Sequence, residues 1–303
     1  MLLTGSGCTA PLHINQLQFV GSHNSYKLAM SAQHLEQLRA RDPEVAESLE
    51  YWHLPLAQQL DLGVRKLELD IFYDPEALDF VVGHVQDIDM NSLCATLSAC
   101  LAEITTWSDQ HPRHVPIWIS FNAKDQEIEG LSVPAAFDAK AFAALDAQLF
   151  EMLPGRLITP ADVPERRWPR LDDARGKILL ILDEGGAKRA LYGRNWQARP
   201  MFANWPEAHP GAAVMIVNDP VRDGNRIRRL VAAGFMVRTR ADANTIEARR
   251  GDRSRLEAAL ASGAQAISTD YYLPAEHFGT DYVVRFAPRC NPRNTRAPCT
   301  VRE

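Results

Sequence analysis

VRKLELDIF, residues 64–72, reads as a buried strand with charge set inside an apolar run. Strand alternation puts Glu68 and Asp70, two positions apart, on one face. Similar short runs recur on either side of it. They are LQFVGS (17–22), DFVVGHV (79–85), VPIWISF (115–121), KILLIL (177–182), AAVMIV (212–217), GFMVRTR (234–240) and AQAIST (264–269). Runs that are continuously apolar rather than alternating belong to strands covered on both faces, as in a parallel sheet. Helical patterns lie between most of them. SLCATLSACLAEITTWSDQ and FDAKAFAALDAQLFEML repeat apolar positions at three and four, while NRIRRLVAAG and DRSRLEAALASG are amphipathic and stop at Gly. Strand–helix alternation at this frequency, with no Gly/Ser linker, predicts an α/β fold, a (β/α)8 TIM barrel that closes on itself. DFVVGHV alone breaks the alternation, following its predecessor across a DPEALD turn. Residues 15–303 are expected to form one domain, with 1–14 an N-terminal extension or leader remnant.

Of the 303 residues, 46% are hydrophobic and 23% charged, with a net charge of −5, which excludes collagen-like, disordered and membrane-spanning classes. The negative balance argues against a nucleic-acid partner and against docking on anionic membranes by bulk charge. Basic clusters such as RDGNRIRRL and RRGDRSR carry interleaved acids and read as solvated helix faces. A monomer is expected. The start, MLLTGSGCTAP, lacks the charged and apolar regions of an intact signal peptide. Cys94 and Cys100 would lie about 10 Å apart in a straight helix, beyond the reach of a disulfide, so they pair only if Cys94 precedes the helix. Cys290 and Cys299 bracket a Pro-rich tail that a bridge would pin. The alternative is buried free thiols. Two bridges and the odd Cys8 point to an exported protein, periplasmic or secreted.

In a β/α barrel the reactive groups come from the C-terminal ends of the strands. Those positions hold His23 and Asn24, Glu68 and Asp70, His84, Asn122 and Lys124, Asp183, Asn218 and Asp219, Arg238 and Arg240, and Thr269, Asp270 and Tyr271. Two carboxylates on one strand face repel unless a cation lies between them. One solution is an interior salt network with Arg65 or Lys66, of which only Lys66 shares the parity of Glu68. The other is a hard divalent cation, Ca²⁺ or Mg²⁺ rather than Zn²⁺, with Asn24 and Asn122 adding amide oxygens. His23 and His84 at the same rim suit an acid/base pair.

GSHNSY, LELD, the later GH and the distal STDY, with VRTRADA, ASGAQAISTDY and RCNP, resemble the bacterial Ca²⁺-dependent branch of the phosphatidylinositol-specific phospholipase C superfamily. The resemblance runs from about residue 15 to the tail. It implies a distorted TIM barrel in which His23 and His84 are general base and acid. It also implies Ca²⁺ on Asn24, Glu68, Asp70 and a Glu after the fourth strand. That last position is Asn122 here, which keeps an oxygen but removes a charge, so cation affinity should fall. Lys124 matches a Lys expected near the phosphate or the inositol. Arg238, Arg240, Asp270 and Tyr271 complete the candidate substrate contacts, and transient contact with a membrane surface would bring the phospholipid in. Trp205 and the Tyr271–Tyr272 pair are candidate interfacial aromatics, with a structural role the stronger reading of each. The implied reaction is attack of the inositol 2-hydroxyl on its own phosphorus, releasing diacylglycerol and a cyclic inositol phosphate. Two rivals remain. A glycerophosphodiester phosphodiesterase or phospholipase D-like enzyme shares the barrel, though it pairs its first His with Arg; a non-catalytic lipid or inositol-phosphate binding protein would keep a weakened metal site.

Overall fold

A curled sheet of mainly parallel strands forms the centre of the computed structural model, which describes residues 11–77, 79–295, 299 and 301–303. Its first six strands are β1 (Leu17–Ser22), β2 (Lys66–Asp74), β3 (Asp79–Val82), β4 (Ile117–Ala123), β5 (Leu157–Ile158) and β6 (Ile178–Leu182). β7 (Met201–Ala203), β8 (Val214–Ile216), β9 (Met236–Arg240), β10 (Ala266–Thr269) and β11 (Arg289–Cys290) follow. The hydrogen-bonded order is β5-β6-β4-β2-β1-β10-β9-β8, with β7 on β6, β3 on β2 and β11 on β1. Only β3 and β11 pair antiparallel.

Two expectations are corrected. DFVVGHV is not a barrel stave; its strand, β3, folds back antiparallel on the end of β2, Ile71 opposite Val82. The missing stave is β7, whose three residues are too few to show a period. Nor does the barrel close. Among the described residues β7 pairs with β6 and β8 with β9, but β7 and β8 do not pair. Pro206 and Pro210 in the connection between them lack the N–H that a ladder needs. A single side-chain bond spans the opening, from the Ile216 N–H to Asn204 Oδ1 at 3.2 Å.

Ten helices pack around the described sheet. They are α1 (Ala32–Arg41), α2 (Pro43–Ser48), α3 (Leu56–Asp61), α4 (Leu97–Gln110) and α5 (Ala139–Met152), then α6 (Leu171–Ala174), α7 (Gly186–Tyr192), α8 (Pro220–Ala232), α9 (Ile246–Arg250) and α10 (Ser254–Ser262). Local chemistry sets their ends. Thr96 and Asp138 cap α4 and α5, and Asp219 caps α8 ahead of Pro220 at its first position. Gly263, at φ +80°, stops α10 in the left-handed region where side chains are strained. Cys94 does precede α4, and its Cα lies 5.2 Å from that of Cys100; Cys290 and Cys299 are 5.9 Å apart, and both pairs are bridged. Cys8 and the leader sequence lie outside the described residues.

Parity decides what fills the sheet. Leu67, Leu69 and Ile71 of β2 and Ile117, Ile119 and Phe121 of β4 face the helices. The alternate positions face inward, and a second cluster of Leu17, Phe19, Trp118, Leu179, Ile181, Phe202, Val214, Met236 and Ala266 fills the interior at the strand starts. The same inward columns continue toward the strand ends as Gly21 and His23, Lys66, Glu68 and Asp70, Asn122, Asp183, Arg238 and Arg240, and Ser268 and Asp270. Apolar layers therefore form a floor, and polar layers stand on it.

Candidate active site

Lys66 is the deepest of these polar groups. It is fully buried, and its ammonium donates to Glu68 Oε2 and to the Ser22 carbonyl. Gly21 lies directly across from it in register. A Cβ at Gly21 would come within 2.7 Å of Lys66 Cβ and 2.8 Å of its Cδ, so this glycine makes the channel for the lysine stem. Gly21→Ala is accordingly expected to cost about 1–3 kcal/mol by overpacking, read as a lower urea midpoint at unchanged slope.

Glu68 is held from two sides. Arg238 Nη2 donates to the same Oε2 at 3.0 Å, its Nε to Ser268 Oγ at 2.9 Å, and its Nη1 to Asn218 Oδ1. Burial alone would push the Glu68 carboxyl up, but Lys66 and Arg238 together hold it well below the usual carboxylate range. Burial also brings Lys66 down to about 8, leaving it largely protonated at neutral pH. Asp183, in the polar layers above that floor, is pushed up to about 6 by burial.

Two His–Asp pairs flank this network. His23 Nδ1 donates to Asp270 Oδ1 at 2.9 Å, while its Nε2 lies 3.6 Å from Glu68 Oε1 and accepts from Arg240 Nη1 at 3.4 Å. Burial and the Arg240 charge lower its pKa, with Asp270 and Glu68 opposing. Arg240 is tied in turn to Asp270 Oδ2 at 3.0 Å. Behind His23, the buried His53 donates Nε2–H to the His23 carbonyl at 2.7 Å and stacks on Tyr272. His84 Nδ1 donates to Asp89 Oδ2 at 3.1 Å, and Asp89 is fixed by the buried Lys27 ammonium at 3.0 Å. Each imidazole thus has Nδ1 on a carboxylate, which leaves Nε2 for chemistry. His84, Asn122, Lys124 and Asp183 line one cavity of about 300 Å³.

The carboxylate oxygens expected to hold a divalent cation face nitrogen donors of the chain itself. Asn122 turns its amide nitrogen toward them, donating to Asp70 Oδ1 at 2.7 Å and reaching Glu68 Oε1 at 3.4 Å. Lys124 Nζ lies 3.1 Å from Asp70 Oδ2. Asn24, in a left-handed turn at φ 44°, donates to the Tyr51 hydroxyl at 2.7 Å. All four oxygens of Glu68 and Asp70 therefore face nitrogen donors, and Ca²⁺ takes six to eight oxygen ligands. This donor set does not fit the ion. Among the described residues no group of three or more His, Cys, Asp or Glu side chains is disposed to hold a metal.

Other expectations are corrected by burial. Tyr271 is 3% exposed and packs against His277, Phe278 and Tyr282, so it is no substrate contact. It directly follows the inward Asp270 and so points outward. Asp270 itself serves His23 and Arg240. Trp205, stacked on His209, and Tyr272 are buried, in keeping with the structural rather than the interfacial reading of each. Arg65 turns away from the carboxylates to Glu303. Asp89, Lys27 and His53 were not legible as site residues. For Asp89 the only signal is its place five residues after His84, where its carbonyl also accepts the His84 N–H at 2.9 Å.

The family model for Ca²⁺-dependent phosphoinositide phospholipase C matches residues 12–81 and 76–294. No curated protein matches the sequence. Among solved structures, the Ca²⁺-dependent phosphoinositol-specific phospholipase C of a Pseudomonas species with myo-inositol is 19% identical. It superposes with a TM-score of 0.59 over 86% of this chain and 91% of its own. The Ca²⁺-dependent enzyme of Streptomyces antibioticus gives 18% identity and a TM-score of 0.60, covering 88% of this chain and 97% of its own. The phosphatidylinositol-specific phospholipase C of Listeria monocytogenes gives 13% and 0.57 over 90% and 94%. These likenesses share the fold of the open barrel described here. With the family model spanning nearly all of the described chain, the protein belongs to the Ca²⁺-dependent phosphoinositide phospholipase C family.

Proposed function

We propose that this chain is a phosphodiesterase that cleaves phosphatidylinositol between phosphorus and the glycerol oxygen. The observation that carries the reading is the pair of imidazoles, His23 on Asp270 and His84 on Asp89, each oriented through Nδ1 by its own carboxylate. His23, kept neutral by burial and by Arg240, takes the proton from the inositol 2-hydroxyl as that oxygen bonds to phosphorus. His84, which lines a cavity with Lys124, gives its proton to the departing glycerol oxygen as the old P–O bond breaks. Nucleophile and phosphorus belong to one molecule, so proximity lowers the barrier. Lys124 and Arg240 offset the charge that grows on the phosphoryl oxygens.

A lipid substrate needs a surface that meets a bilayer. Leu28, Ile88, Ile128, Val133 and Leu273 are exposed apolar residues on loops after β1, β3, β4 and β10, the same end as the histidines. That ring supports transient contact with a membrane. Among the described residues no helix is long and apolar enough to cross one. The two bridges support an exported enzyme working in an oxidising compartment. The test is product identity. Phosphatidylinositol vesicles should yield diacylglycerol and a cyclic inositol phosphate, in preference to cleavage of glycerophosphoinositol; the reverse preference would favour a glycerophosphodiester phosphodiesterase, and neither product a binding protein.

A further inference from the structure

The carboxylates that an oxygen-bound ion would need are already matched, one by one, with cations of the chain itself. Lys66 and Arg238 converge on Glu68, and Lys124 sits on Asp70. The arrangement is built into the backbone as well as into rotamers. Lys66 is fully buried and cannot swing to solvent, and Gly21 on the neighbouring strand is the space its stem occupies. Arg238 is 2% exposed and anchored at three points, by Ser268, Asn218 and Glu68. Asn122 supplies the last donors, through its amide nitrogen. A divalent ion entering here would add two positive charges beside three that are already fixed, and it would have to strip donors from every carboxylate oxygen it used.

We infer that fixed side-chain cations take the place of the divalent ion in this chain: Lys66 and Arg238 neutralise Glu68, Lys124 neutralises Asp70, and an anionic phosphodiester is held by Lys124 and Arg240 without Ca²⁺. The two cations left partly exposed are the two that stand by the histidines. Lys124, at 29% side-chain exposure, lines the cavity of His84, and Arg240, at 13%, touches His23. Each imidazole has a positive group beside it to receive a phosphoryl oxygen, the service a metal would otherwise perform.

The inference rests on the phosphodiesterase reading only for the identity of the anion, and its test separates the two. Chelator-stripped wild-type protein is titrated with CaCl₂ by calorimetry and melted with and without the salt. In parallel, phosphatidylinositol turnover is followed in EGTA and in excess Ca²⁺. The expected result is no saturable heat, an unchanged melting midpoint, and turnover equal within about twofold in the two media. Saturable Ca²⁺ binding with a raised midpoint, or a loss of turnover of about tenfold or more in EGTA, overturns it. If phosphatidylinositol is not cleaved in either medium, the proposed function fails, and the calorimetric titration still decides this inference by itself.

Discussion

Replacing His23 or His84 with Ala should lower phosphatidylinositol turnover by about 10²- to 10⁴-fold, the usual worth of a positioned acid or base. The fold should survive both changes. The two side chains are 18% and 21% exposed and belong to neither apolar cluster, so little packing is lost. Neither carboxylate is left alone: Asp270 keeps Arg240, and Asp89 keeps Lys27. The variants would therefore melt close to wild type while failing to release diacylglycerol. Near-normal turnover in either one would remove that imidazole from the chemistry.

The second large effect concerns stability. Glu68→Gln removes the charge shared by Lys66 and Arg238, both almost fully buried, and leaves two cations facing a neutral amide. Losing one partner of a buried ion pair costs about 3–5 kcal/mol, so the urea midpoint should fall steeply even in metal-free buffer. The sign separates two accounts of the site. Were Glu68 and Asp70 a repelling pair waiting for an ion, removing one charge would leave metal-free protein unchanged or more stable. A marked loss is the outcome expected for a finished salt network.

Much of the site was legible because barrel strands obey a period of two. Seven of the eight apolar runs are barrel strands, and the same alternation brought Glu68, Asp70 and Lys66 to one face. His23, His84, Asn122, Lys124, Arg238 and Arg240 all lie at the predicted end of the sheet. The misses have physical causes. β7 is three residues long, below the length at which any period shows, and the barrel opens after it, where the connection carries Pro206 and Pro210 and no apolar pattern marks the gap. Tyr271 stands beside a strand end, where nearness alone suggests a substrate contact, but the parity of Ala266, Ser268 and Asp270 points it outward. The choice between a cation and a salt network depended on Arg238, 170 residues away from Glu68, and no local pattern announces such a partner. Asp89 was missed for the opposite reason, because a tight loop rather than a strand carries it to His84.

Phosphorus NMR on phosphatidylinositol micelles reads the broken bond directly. The lipid phosphodiester signal should be replaced by that of a five-membered cyclic inositol phosphate, with diacylglycerol released in step and any monoester appearing later. Persistence of the lipid signal, or its conversion to phosphatidate, would contradict the mechanism, because neither outcome is compatible with attack by the neighbouring hydroxyl between two imidazoles.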